Sequence, residues 1–250
     1  MSRNVDACGC FPTGRHYAGI AHLLRGGGVR GLVPGLSSET PWVDLPIALL
    51  DVETTGRDAS INRIVELGIV VGRGGEIIAR HNWLVNPGCP IPEEVRAIHG
   101  ISDDDVRNEP RFEAIAGEIA EALRGSIPAA YNAPFDRAFV TNEFARSVAA
   151  GVPAAEGVPA IDRDVDWIDP LVWAREIQKD ERSRALGDVA ARLGVKLENA
   201  HRASDDAEAA LHVLYALGKD VRVPKSYGAF MSEQKRIAQK QADERRRWRG

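Results

Sequence analysis

Four carboxylates and one histidine stand in contexts that could do chemistry. Asp51 and Glu53 lie one residue apart at the end of the apolar run Ile47 to Leu50, and the small polar turn Thr54-Thr55-Gly56 follows. Read as a strand, a period of two puts both acids on one side and Val52 on the other. Such a pair repels itself and is costly to desolvate without a cation. Taken alone it reads equally as a cation site or as an acidic surface turn. A second group, Asn132-Ala-Pro-Phe-Asp136, opens a helix with Pro134 in its first turn. A helix N-terminus favours negative charge, so Asp136 there can stay ionised and face a metal or a phosphate. Asn132 reads as a turn or capping residue, and Phe135 as either core or a surface for base stacking. The third group is His201-Arg-Ala-Ser-Asp205-Asp206-Ala207. On one continuous helix His201 and Asp206 would point about 140° apart. They converge only if His201 sits in the loop before the helix, with Ser204 as its cap. A loop histidine suits a proton acceptor; spacing does not choose between Asp205 and Asp206 as its partner.

The elements that must position these groups can be traced in order. Ile47 to Leu50 is apolar on both faces, as in a central strand covered on both sides. Arg63 to Val71 reads as a second strand, Gly72 to Gly75 as a hairpin turn, and Ile77 to Val85 as a third strand. Glu93 to Ile98 is a short helix stopped by His99-Gly100. Phe112, Ile115, Ala116, Ile119, Ala120 and Leu123 recur at helical spacing. Ile127 to Tyr131 is a short strand, followed by a helix from Asn132 to about Ala150 and an Ala/Gly/Pro-rich link over 151–159. Asp164 to Ile168 reads as a last strand, and Asp169-Pro170 as a helix cap with proline at the first position. Helices then cover Leu186 to Leu193 and Ser204 to Leu217. Hairpin strands, then alternating helices and strands, describe an α/β fold: a mixed sheet, antiparallel meander plus parallel strands, flanked by helices.

The chain ends differ from this body. Residues 1–44 are broken by Gly26-Gly27-Gly28 and Val33-Pro34-Gly35 and read as a flexible extension. Cys8, Cys10, His16 and His22 match no common zinc spacing. With Cys89 the cysteines are odd in number and form no disulfide framework, which points to a reducing, cytoplasmic setting. No apolar run approaches the roughly 20 residues of a membrane helix, so no membrane partner is expected. The net charge of -4 argues against a purely electrostatic nucleic-acid binder, but acids that hold cations reverse the local potential. From Lys225 onward, Lys225, Lys235, Arg236, Lys240, Arg245, Arg246, Arg247 and Arg249 outnumber Glu233, Asp243 and Glu244. Residues 221–250 thus read as a cationic tail with a polyanionic or acidic partner. The run from Ser232 to Trp248 lacks an apolar stripe and is placed outside the core. The main domain spans 45–220.

The three chemical groups resemble, in order and context, the three motifs of the DEDDh (DnaQ-like) 3'–5' exonucleases, the family of the proofreading epsilon subunit of bacterial DNA polymerase III. The resemblance covers about Ile47 to Leu217, and Ala97-Ile-His99-Gly-Ile101 is similar to the family loop that touches the terminal nucleotide. It selects Asp206 over Asp205. It implies a ribonuclease-H-like fold and two divalent ions, Mg²⁺ or Mn²⁺. Asp51 would bridge both ions, Glu53 and Asp206 would complete one, and Asp136 would hold the second through water. His201 would be the general base, which requires a neutral imidazole. Thr54, Thr55, Gly56, His99, Asn132 and Phe135 would hold the terminal nucleotide. The implied reaction releases nucleoside 5'-monophosphates from single-stranded 3' ends, first of all of DNA. RNA trimming, as in ribonuclease T and oligoribonuclease, is the second reading. A third is a module that docks a DNA polymerase or other replication protein through 225–250.

Overall fold

The computed structural model describes residues 30–197 and 201–249; Cys8, Cys10, His16 and His22 lie outside them. Strands β1 (Ile47–Thr54), β2 (Ile64–Arg73), β3 (Glu76–Leu84) and β4 (Ile127–Ala130) form one sheet in the order β3-β2-β1-β4. The first three are antiparallel neighbours, and β4 runs parallel to β1. The hairpin between β2 and β3 turns on Gly74 and Gly75, whose φ values of 63° and 86° suit glycine. The helices are α1 (Glu93–His99), α2 (Asp103–Val106), α3 (Phe112–Leu123), α4 (Ala133–Ala149), α5 (Pro170–Ile177), α6 (Leu186–Arg192), α7 (Ala203–Leu217) and α8 (Tyr227–Arg249). None of the described helices is long and apolar enough to cross a membrane.

Alternation along β1 explains why its apolar run has no polar side. Ala48, Leu50 and Val52 join Leu67 and Ile69 against α3 and α4, where Phe112, Ile119, Phe139 and Phe144 are buried. Ile47 and Leu49 join Val70 on the opposite face, against Trp173, Leu211, Leu214 and Phe230 of α5, α7 and α8. Asp51 and Glu53 continue this second row to the strand end.

Three expectations change. Asp164 to Ile168 forms no strand; it touches the sheet through one bridge, Ile168 to Ala129. Ile168 donates to the Pro128 carbonyl at 2.9 Å and accepts from Ala130 at 3.1 Å. The next ladder bond would need an amide proton on Pro128, which has none. The Asp166 amide turns away and donates to the Gly31 carbonyl at 2.8 Å.

The placement of Ser232 to Trp248 outside the core also fails over its first half. Tyr227, Phe230, Met231, Gln234, Ile237 and Gln241 are all buried along one face of α8. The stripe has helical spacing, but two glutamines occupy apolar positions and hide it. Gln234 donates to the Trp167 carbonyl and accepts from the Asp169 amide, both at 2.9 Å, and Gln241 donates to the Val172 carbonyl at 3.0 Å. The expectation of a flexible extension over 1–44, finally, does not hold for Val33 and Trp42. Val33 donates its amide to the Tyr227 hydroxyl at 3.1 Å, and buried Trp42 packs on Phe230 with ring centroids 4.9 Å apart.

Candidate active site

The catalytic candidates gather at the C-terminal end of β1. Asp51 pairs across the sheet with Gly68 and Glu53 with Glu66, and the register shifts just after Glu53. Glu66 is fully buried, so two glutamates face each other in a setting that would ordinarily be repulsive. Arg202 offsets this, donating to Glu66 Oε1 from Nη2 at 2.7 Å and from Nε at 3.2 Å. Glu66 Oε2 accepts the Ala203 amide at 3.2 Å, at the start of α7. Glu66 therefore caps the helix that carries Asp206.

The start of α7 also lies directly on β2. A side chain at Gly68 would place its first carbon 2.3 Å from the Ala203 carbonyl carbon and the Ser204 amide. That close approach brings the first turn of the helix over Asp51. His201 is in the loop before the helix, as its proposed role requires, with φ 69°. The expected cap does not hold: the helix begins at Ala203 with Arg202 at the cap position, and Ser204 lies inside the first turn. Glu66, reaching over from β2, serves that amide instead. The His201 amide donates to Asp206 Oδ2 at 3.0 Å, whereas Asp205 turns outward to Arg80 at 3.5 Å. The geometry thus separates the two aspartates that spacing left open. Glu53, His201 and Asp206 each bring a ligand atom within 4.8 Å of the others.

Asp136 arrives from the opposite face of the sheet. It is buried in the first turn of α4, and its Oδ1 accepts the Val52 amide at 3.2 Å. The α4 terminus is itself capped from elsewhere. Asp169 accepts the amides of Asn132 and Ala133 at 3.0 and 3.2 Å, besides capping its own α5 through Leu171 at 2.9 Å. Asn132 takes the left-handed conformation, φ 73°, and acts as the turn residue expected of it.

Electrostatically the four acids crowd one another. Burial lifts Asp51 well above the usual carboxylate range, and Asp136, Asp206 and Glu53 add to the effect. Glu53 is pushed up to about 8 by burial, then by Asp206 and Glu66, with Arg202 opposing. Burial likewise raises Asp136 and Asp206. Acids that resist ionising together form a site short of positive charge. Their donors are oxygens with one imidazole beside them and no thiolate, a set that fits a hard divalent cation.

The remaining candidates divide. Thr54 and Thr55 are buried, and their hydroxyls serve the turn: Thr54 donates to the Gly56 carbonyl at 2.6 Å, and Thr55 Oγ1 accepts the Arg63 amide at 3.0 Å. Each hydroxyl keeps further hydrogen-bonding capacity beyond these turn contacts. His99 is buried, and its Nδ1 accepts the Ile101 amide at 3.1 Å. Its Nε2 is buried with no hydrogen bond of full geometry among the described residues, and the Thr54 carbonyl is the acceptor near it. Burial also lowers its pKa, which keeps it neutral. Phe135 is half-buried, leaning on Phe139 at 5.0 Å, and lines a surface cleft with Arg57 and Pro134.

The exonuclease family model RNase_T matches residues 49–214, a span that holds all five candidate catalytic residues. The chain belongs to this family of DnaQ-like 3'–5' exonucleases. Among curated relatives, the PolC-type DNA polymerase III of Streptococcus suis is 32% identical over 217 residues, 84% of this chain and 14% of the relative. That of Thermotoga maritima is 30% identical over 217 residues, again 84% of this chain and 15% of the relative. The chain thus spans about one-seventh of the length of these relatives. Among solved structures, exonuclease X in complex with 5' overhanging duplex DNA superposes with a TM-score of 0.55 at 22% identity, covering 72% of this chain and 95% of that one. Escherichia coli exonuclease I with a dA16 oligonucleotide gives 0.58 at 19%, over 70% and 41%. Both likenesses concern the fold, a ribonuclease-H-like mixed sheet between helices.

The residues that sequence reasoning missed are those that hold the family motifs in place. Glu66 had a signal, since an acid inside the β-branched run Ile64 to Val71 needs a buried partner. Asp169 was read as a cap of α5, and that role holds; its second role at α4 joins residues 36 and 37 positions apart.

Proposed function

We propose that the chain is a metal-dependent 3'–5' exonuclease that hydrolyses the terminal phosphodiester of single-stranded DNA and releases nucleoside 5'-monophosphates. The observation that carries this reading is the convergence of Asp51, Glu53, Asp136, Asp206 and His201, from three separate chain segments, on one end of the sheet. Asp51, Glu53 and Asp206 would hold the cations, with Asp136 holding one through water. Two such ions, Mg²⁺ or Mn²⁺, supply charge at both the attacking and the leaving oxygen of an in-line displacement. His201, exposed beside Glu53 and Asp206, takes the proton of the attacking water on a ring nitrogen, with Asp206 fixing the loop through the His201 amide. His99, between the α1 loop and the Thr54 backbone, would border the terminal nucleotide, and Phe135 offers a face to a base. These contacts read no base pattern, so trimming is independent of sequence.

DNA is favoured over RNA because the relatives are DNA polymerases by name and the superposed exonucleases are DNA complexes. A polymerase or another replication protein is the partner class that the same relatives suggest. Matched DNA and RNA oligonucleotides incubated with Mg²⁺, with Mn²⁺ and with chelator test the reading. Metal-dependent release of 5'-mononucleotides from DNA 3' ends is expected, and His201→Ala should slow single-turnover hydrolysis far more than it weakens binding. Equal rates without metal, or unchanged chemistry in the His201 variant, would refute the mechanism. Preferential degradation of the RNA strand would move the enzyme to RNA trimming.

A further inference from the structure

Beside the acids, on the same face of the sheet, arginines converge that the hydrolytic mechanism does not use. β4 is parallel to β1 and in register with it, Leu50 against Ala130. Tyr131 follows directly after β4 and packs on the face of Ile47 and Leu49, the row that Asp51 continues. Around Tyr131 stand Arg175 of α5, Arg184, and Arg192 of α6, and the Tyr131 hydroxyl donates to the Arg184 carbonyl at 2.6 Å. Arg245 of α8 is close enough to Arg175 to act against its charge, second only to burial.

Arg80, Arg96, Arg107, Arg124, Arg222, Arg236 and Arg246 each form a salt bridge with a carboxylate. Among the described residues, Arg175, Arg184, Arg192 and Arg245 share with Arg57, Arg73, Arg111, Arg137, Arg163 and Arg182 the lack of a carboxylate within salt-bridge distance. Arg192 donates only to neutral acceptors, Gln178 Oε1 and the Ser183 carbonyl, and Arg184 Nε is buried without a partner. Arg175 and Arg245 also line a cleft of about 370 Å³ with Asn132, Pro134, Arg137 and Lys235, which runs from the start of α4 to α8. Two acids line it as well. Asp169 is committed to backbone amides and Asp166 to Lys235 at 3.3 Å, so the cleft keeps an excess of positive charge.

We propose that this cleft binds the sugar-phosphate backbone of the substrate strand, upstream of the nucleotide being removed. The site rests on the exonuclease reading for its orientation, and it assigns a purpose to α8: the buried stripe seats the helix, and Arg245 closes the far wall of the groove. Guanidinium groups that form no salt bridge, in a cleft with an excess of positive charge, suit phosphates through paired N–H donors. An acidic protein could meet the same charge, but Asn132, Ala133 and Pro134 of the lining stand at the start of α4, whose first turn carries Asp136, so the cleft adjoins the reaction site.

The test uses the full chain, with Arg175→Gln and Arg245→Gln combined and the exposed Arg245→Glu alone as a second variant. Anisotropy with single-stranded DNA of about 5 and about 20 nucleotides, in chelator and across 50 to 200 mM salt, reads binding without chemistry. The long strand should bind about tenfold more weakly in the double variant. Its log–log salt slope should shrink by roughly 1.4, about 0.7 for each lost phosphate contact on a single strand. With metal present, the ratio of kcat/KM for the 20-mer over a dinucleotide should fall by a similar factor. Unchanged affinity and slope in both variants would overturn the groove and leave the cluster to an acidic protein partner. An equal loss on dinucleotide and 20-mer would overturn it too. Absence of mononucleotide release by the parent protein defeats the exonuclease reading instead, while the binding arm still decides the groove.

Discussion

The two helices that deliver aspartates to the site begin in similar ways and are held differently. Asp136 and Asp206 each lie in the first turn of a helix whose terminal amides are bound by a carboxylate from another element, Asp169 for α4 and Glu66 for α7. Asp169 is satisfied by neutral groups: the amides of Asn132, Ala133 and Leu171 bind its carboxylate, and Gln234 of α8 binds its backbone. Glu66 is satisfied by charge, through Arg202, with Asn82 Nδ2 donating at 2.9 Å. The neutral arrangement sits on the more buried aspartate. The ionic one serves the helix next to the exposed His201 and leaves Arg202, half in solvent, able to adjust. Asp136 thus rests on a neutral cap, while Asp206 and the proton acceptor His201 share an ionic one.

The strongest check is to remove each delivered carboxylate. Asp136→Asn and Asp206→Asn should both lower mononucleotide release on the order of a thousandfold, in single-turnover assays on folded protein. A much smaller loss for either would break the symmetry of the two arms. Replacing the caps should separate them. Asp169→Asn sets an NH₂ against buried amides and should cost about 2–3 kcal/mol in urea denaturation. Glu66→Gln loses an ion pair but also relieves Glu53, and should cost about 1 kcal/mol. Equal losses would show that the charged cap contributes as much stability as the neutral one.

The relief at Glu53 has a pH signature. Its folded-state pKa of about 8 lies above the ordinary 4.5, so the folded chain binds more protons between these values. Stability of the metal-free protein should therefore fall as pH rises through that window, where the unfolded chain has already ionised. Tm measured in chelator between pH 5 and 8 should decline, and Glu53→Gln should flatten the decline. Smallest of all, Asp205→Asn should change the turnover rate less than twofold, because its carboxylate reaches Arg80 and acts on Asp206 only weakly, after burial and His201. A large loss there would mean that the aspartate assignment within α7 is wrong.

Much of the site could be read from residue order because its chemistry is local. The period of two that puts Asp51 and Glu53 on one face, the proline that opens α4 and the loop before α7 are short-range facts. The β-meander was equally local, carried by glycines at a tight turn. What escaped was long-range. Pro128 disqualifies a neighbouring strand some 40 residues later, since it cannot donate to it. Gln234 and Gln241 look polar along α8, yet each spends its amide on a backbone carbonyl more than 60 residues away. Glu66 and Asp169 do work that depends on which helix happens to start beside them.

Gly68 has a consequence for how such a site can change. The gap between Asp51 and Asp206 is spanned where backbone meets backbone, with no side chain between β2 and the start of α7. Swapping one ligand for a longer or shorter one leaves that gap untouched, and even a methyl group at position 68 would have to lift the whole helix. The width of the reaction chamber is thus inherited from the sheet. Divergence in what is cleaved has to be written at the margins, in the His99 loop and along α8, where side chains can vary without moving the acids.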